Sequence, residues 1–171
     1  MIRDAAATDA AAIAKVHVES WEGTYRGLMP DEVIDGLTLE RRTAGWSRAL
    51  ADPQPRSASF VAEHDGEVVG MASVGPTRDE DLDSQSMGEV LAIYVIPGHW
   101  GHGHGKGLMV ASLDWLRDAG YSNSMLWVLD TNSIGRSFYE RGGWALDAAS
   151  KLEDSFGAPI NEVRYRLSLE L

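Results

Sequence analysis

The segment Trp100-Gly101-His102-Gly103-His104-Gly105-Lys106-Gly107 places a glycine at every second position between an apolar run and a stretch of helical periodicity. Glycine lets a backbone approach a ligand closely and take positive φ. The first turn of a helix offers N–H groups with no intrahelical partner, and its dipole adds partial positive charge. Together these features predict a cradle for a diphosphate. Two phosphate-binding patterns are excluded. A Walker loop needs glycine five residues before Gly105 and Ser or Thr after Lys106, where this chain has Trp100 and Gly107. A dinucleotide fingerprint needs Gly-x-Gly-x-x-Gly in the first strand-helix-strand unit, whereas Gly103-x-Gly105 is followed by Leu108 and lies past the chain's midpoint. His99, His102 and His104 have a spacing that invites a metal reading. No cysteine or neighbouring carboxylate accompanies them, so the sequence assigns them no metal; His17 and His64 read as isolated histidines.

Three motifs in order resemble the GCN5-related N-acetyltransferases (GNAT family). The family's Gln/Arg-x-x-Gly-x-Gly/Ala motif falls on Trp100-Gly101-His102-Gly103-His104-Gly105. The Ile93-Tyr94-Val95-Ile96-Pro97 run resembles the strand end before it, and Asn132 to Trp144, with Phe138-Tyr139-Glu140 inside, resembles the later Asn…Phe-Tyr-Glu-x-x-Gly-Phe block. The resemblance covers essentially the whole chain. It implies a central mixed, mostly antiparallel sheet with a splayed strand pair and helices on both faces, and transfer of an acetyl group from acetyl-CoA to a primary amine with no metal. The departure is Trp100, which stands where the pattern has Gln or Arg and lacks their hydrogen-bonding groups. The diphosphate contacts that the resemblance implies come from the backbone amides of Trp100, Gly101, His102, Gly103, His104, Gly105 and Lys106.

Moving an acyl group from a thioester to an amine requires a neutral amine, a polarised carbonyl and a proton for the departing sulfur. Glu89, eleven residues ahead of Trp100, resembles the general-base glutamate of one branch of the family, with a structural hydrogen bond as the equal alternative. Tyr139 matches the tyrosine beside the departing sulfur; an ordinary phenol pKa of about 10 suits it to donate a proton there. The resemblance implies that Asn132 holds the pantetheine arm, although an Asn opening a helix also serves as an N-cap. It further implies that backbone groups of Ile93 and Val95 pair with that arm as a neighbouring strand would. Trp21 and Tyr25 fall in the segment that walls the acceptor pocket. Asp79, Glu80, Asp81 and Asp83 form an acidic stretch that reads as a solvated loop. A non-catalytic acyl-CoA-binding or sensor module is the rival reading.

Elements that could position these residues follow from periodicity. Strands are predicted at 2–6, 59–63, 67–74, 89–96, 124–129, 144–148 and 162–169, with Asp65-Gly66 as a hairpin turn. Helices are predicted at 10–21, 30–36, 39–50, 106–119 and 132–141, the first presenting Ile13, Val16 and Ser20 on one face.

The 171 residues, 44% hydrophobic, suffice for one domain. Cysteine is absent, which excludes disulfides and a thiol nucleophile. A net charge of −11 argues against nucleic acid as partner and suits a cationic small-molecule amine as acceptor, although solubility alone is the better account of the bulk charge. The N-terminal residues lack a signal-peptide layout and no apolar run is long enough to span a bilayer, so a cytoplasmic location is expected. Dimers are common among proteins of the resembled family, which makes a homodimer the expected assembly.

Overall fold

Among the described residues every strand joins one seven-stranded sheet in the order β1-β2-β3-β4-β5-β7-β6. The computed structural model describes residues 1–153 and 159–170. Its strands are β1 (Ile2–Asp4), β2 (Ala58–His64), β3 (Glu67–Pro76), β4 (Met87–Val95), β5 (Asn123–Leu129), β6 (Ala145–Glu153) and β7 (Ile160–Ser168). The helices are α1 (Ala10–Tyr25), α2 (Asp31–Asp35), α3 (Leu39–Ala51), α4 (His104–Asp118) and α5 (Ser133–Arg141). All pairings are antiparallel except β4 with β5, so the expected mixed, mostly antiparallel sheet is present.

Alternation along the strands sorts the core onto two faces. Val61 and Met71 meet Ile13 and Val16 of α1 on one face. Phe60, Ala62, Ala72 and Val74 meet Leu108 and Leu116 of α4 on the other. The Asp65-Gly66 turn has φ of 50° and 81°, the double positive φ that a two-residue hairpin requires.

The opening that matters lies between the parallel pair. β4 pairs with β5 only at Met87, Gly88 and Glu89; beyond Glu89 the two strands part. β5 continues through Leu129 against β7, while β4 continues through Val95 against β3. Just past the parting point β4 carries a bulge: Ser73 faces Ala92 and Val74 faces Val90, leaving Leu91 without a partner. The Ile96 N–H donates to Val69 O on the β3 side, so the peptide groups of the alternate residues Ile93 and Val95 face the gap.

Most boundaries shift from the sequence expectation by a residue or more, and three of the shifts bear on the site or the sheet. Helix α1 runs on to Tyr25 instead of ending at Trp21, because Gly23 is a contact point and not a terminator: a Cβ there would lie 2.2 Å from Pro97 Cγ. Helix α4 begins at His104, directly after Gly103, whose φ of 83° supplies the turn into the helix. β6 extends to Glu153, held by main-chain pairing to β7 across a bulge between Leu146 and Ser150.

Candidate active site

A cavity of about 700 Å³ opens where β4 and β5 part. It gathers side chains from far along the chain: Trp21 and Tyr25 from α1, Glu89, Ile93 and Val95 from β4, and Trp100, Gly101, Gly103, Gly105 and Lys106 from the glycine turn and α4. Asn132 and Tyr139 complete it from the α5 side. Of the residues assigned from the sequence to the catalytic, donor or acceptor sites, His102 and His104 are the two that do not line it.

The glycine turn is built for exposed N–H groups. Gly101 has φ of 79° and Gly103 of 83°, and a Cβ at either would meet nothing within 4 Å. Glycine is therefore required by conformation and not by crowding. Gly103 caps α4 with no side-chain hydrogen bond, which leaves the first-turn amides for an outside acceptor. Trp100, in place of Gln or Arg, makes a contact of its own: its indole Nε1–H donates to the Val95 carbonyl at 2.6 Å, tying the turn to the open edge of β4.

Glu89 is 2% exposed, at the foot of the gap. Both of its oxygens accept from Arg78: the backbone N–H at 3.1 Å and Nε at 3.3 Å on Oε2, and the terminal guanidinium nitrogen at 2.7 Å on Oε1. Sequence reasoning missed Arg78, which sits in a polar segment with no periodic signal. Oε2 is saturated by two donors, while Oε1 keeps one acceptor position.

Three phenols converge on the cavity. Burial, then Tyr94, holds the Tyr139 hydroxyl well above the ordinary phenol range. Burial raises Tyr25 too, with Tyr94 and Tyr139 adding to it, and the Asn132 side chain hydrogen-bonds its hydroxyl. Tyr94 is likewise raised by burial. All three are neutral proton donors near pH 7. Asn132 is also the N-cap of α5, its Oδ1 accepting from Gly135 N at 3.0 Å, so the capping reading of this residue holds. Trp21 is 8% exposed and packs with Val33, Ile34 and Leu37 while stacking edge-on to Tyr25 at 4.9 Å, so it is core as well as cavity wall.

Two expectations need correction. The acidic stretch is not a solvated loop throughout. Asp79 accepts from Trp127 Nε1 at 3.1 Å, and Asp79 and Asp81 accept from Arg164 at 2.8 and 2.9 Å. These carboxylates bind the loop to β5 and β7 and are spent on that task. Nor is His64 isolated: its ring lies 5.1 Å from that of His99 and 5.2 Å from that of His104. The signal was invisible in sequence because His64 comes from β2, far from the glycine turn.

Comparison with known proteins agrees with this geometry. Residues 16–144 match the family model described as "Acetyltransferase (GNAT) family". The chain is 34% identical over 133 residues to an uncharacterised N-acetyltransferase, YuaI, of Bacillus subtilis, covering 77% of this chain and 72% of that protein. It superposes on the putative acetyltransferase YncA of Salmonella typhimurium, solved with acetyl-CoA, with a TM-score of 0.74 at 21% identity over 100% of this chain and 94% of that one. It also superposes on the PaiA N-acetyltransferase of Thermoplasma acidophilum, solved with coenzyme A, with a TM-score of 0.70 at 21% identity over 98% of each chain.

Proposed function

The chain belongs to the acetyltransferase (GNAT) family, and from that premise we propose that it moves an acetyl group from acetyl-CoA to a primary amine of a small molecule. The observation that carries this reading is the gap between β4 and β5. It joins strand peptide groups that no neighbouring strand pairs, the amides at the start of α4 and a neutral tyrosine in one cavity. The residues fit the donor: amides at the start of α4 suit its diphosphate, and the Ile93 and Val95 peptide groups suit its amide-bearing arm. When bound, acetyl-CoA supplies the activated acyl group.

In this reading the Ile93 and Val95 edge orients the arm and directs an N–H toward the thioester oxygen, where negative charge develops. The acceptor nitrogen enters beside Trp21, Tyr25 and Tyr94 and forms a bond to the carbonyl carbon as the carbon–sulfur bond breaks. The amine proton passes through a water to the remaining acceptor position on Glu89 Oε1. Tyr139 gives its phenolic proton to the sulfur. Burial keeps that phenol protonated up to the moment of transfer, and the same burial raises the basicity of the thiolate forming beside it, since a thiol is ordinarily the stronger acid of the two. The overall change is one amide and one thiol from one amine and one thioester. Among the described residues no helix is long and apolar enough to cross a membrane.

Tyr139→Phe keeps the ring against Phe138 and Trp144 and removes only the hydroxyl. It is expected to lower kcat by roughly 10²-fold or more with acetyl-CoA affinity unchanged. Unchanged turnover would remove Tyr139 from the mechanism. Glu89→Gln is expected to depress turnover most at low pH, where the amine is most protonated. A uniform effect across pH would instead leave Glu89 as the anchor of Arg78.

A further inference from the structure

We propose that His64, His99 and His104 form a binding site for one divalent transition-metal ion, with zinc the reference case, beside the acyl-donor cavity. The three come from the end of β2, the turn after β4 and the first residue of α4. Folding brings one nitrogen of each within 4.8 Å of the others, and all three rings are partly buried. Three imidazole nitrogens on one tetrahedral ion at about 2.0–2.1 Å would place their ring centroids about 5 Å apart. The observed centroids are 5.1, 5.2 and 6.1 Å apart, so rotations of the side chains suffice to close the set.

A second observation points to an occupant. Nε2 of His104 is buried and has no hydrogen-bond partner among the described residues. A buried ring nitrogen without a partner is costly, and a cation at the centre of the cluster would satisfy it. His102 adds a fourth imidazole, with centroids 6.2, 6.4 and 6.3 Å from those of His64, His99 and His104. Its Nδ1 lies 2.9 Å from the Trp100 carbonyl, an arrangement that fixes the ring and leaves the other nitrogen free. The Asp65 carboxylate, 3.7 Å from His64 Nε2, offers the charge and second contact that commonly orient a metal-bound imidazole. An all-imidazole donor set suits zinc, nickel or copper and not calcium or magnesium.

Of the three ligands, only His99 borders the cavity, so the ion stands beside the reacting groups and the transfer chemistry does not call for it. What it would do is mechanical. It fastens β2 to both ends of the glycine turn, His99 before it and His104 after it, and so holds the turn whose amides face the donor.

The test uses tag-free full-length protein stripped with chelator, titrated with zinc sulfate by calorimetry and with cobalt(II) by visible absorption. The expected result is one zinc per chain, the intense visible bands of tetrahedral cobalt and a zinc-dependent rise in Tm. His64→Asn and His99→Asn should each weaken zinc binding by about 100-fold or more, since loss of even an orienting residue costs 10–100-fold. Their circular dichroism should match that of the parent, because both side chains sit at the surface rim. Zinc binding absent from the parent, or equally tight in His64→Asn, would overturn the proposal, the latter assigning the ion to the loop histidines alone. Acetyl-CoA binding by the stripped protein is measured in parallel, so failure of the metal site and failure of the transferase reading are distinguishable.

Discussion

Arg164 offers a quantitative test of how the loop over the cavity is held. Its side chain is 4% exposed and meets three carboxylates: Asp147 at 2.7 Å, Asp79 at 2.8 Å and Asp81 at 2.9 Å. Burial pushes the Asp147 carboxyl up, but the Arg164 hydrogen bond, the Ala148 N–H and the charges of Arg164 and Arg166 together hold it below the usual carboxylate range; the Arg164 hydrogen bond is the main cause of the same shift in Asp81. Removing one partner of a buried ion pair costs about 3–5 kcal/mol, because the remaining charge is left in a poor solvent. Here the residue charges are not wholly abandoned. Asp147 keeps Arg166 at 2.6 Å, and Asp79 keeps the Trp127 indole at 3.1 Å. Arg164→Met, which preserves most of the volume, should therefore lose about 3 kcal/mol, the lower end of that range. Urea unfolding should show a lower midpoint with an unchanged slope. Asp81→Asn is the internal control: the pair has a similar length, but Asp81 is 61% exposed, so its midpoint should barely move. A loss below about 1 kcal/mol for Arg164→Met, or equal losses for the two variants, would refute the reasoning that burial and not distance sets the strength of these contacts.

The remaining predictions concern pH and backbone conformation. Burial, with a smaller effect of Arg42, lowers the His17 pKa from 6.5 to about 4, and its Nδ1 accepts from Trp46 Nε1 at 3.4 Å, which requires an unprotonated nitrogen. Between those values the unfolded chain binds a proton that the folded chain refuses, so stability is complete above pH 6.5 and falls as pH drops toward 4. The loss amounts to roughly 3 kcal/mol at about 1.4 kcal/mol per unit, and His17→Gln should flatten the urea midpoint over that window. Gly103→Ala should cost about 1–2 kcal/mol from its positive φ alone and lower Tm by several degrees, with weaker acetyl-CoA binding because the turn amides shift. Gly45→Ala, in the interior of α3 with open space around it, should raise Tm instead, and opposite signs for the two in a melting scan check the account.

Much of the fold was readable because local signals agreed with the tertiary solution. Ile13 and Val16 at helical spacing, the Asp65-Gly66 turn and the apolar run of β4 each specify an element without outside help. The extension of α1 was not readable, since Gly23 breaks helices on average and only its contact with Pro97 shows why it is tolerated here. In the site, the glycine turn was legible from spacing and the place of Tyr139 only through the family resemblance, whereas Arg78 and His64 were not legible. Their roles depend on partners brought in by sheet register: Arg78 through the pairing of β3 with β4, His64 through the end of β2. Trp100 shows the same limit in reverse. As a sequence letter it reads as a lost side chain, while in the fold its indole N–H makes a new bond to the Val95 carbonyl.

The central claim is that the gap between β4 and β5 holds acetyl-CoA and delivers its acetyl group to an amine. The most direct measurement is calorimetric titration of acetyl-CoA into the protein, followed by thiol release across a panel of primary amines. Saturable one-to-one binding with amine-dependent thiol release is the predicted result. Absence of acetyl-CoA binding would contradict the claim outright, and binding without release on any amine would leave a carrier of the donor in place of a transferase.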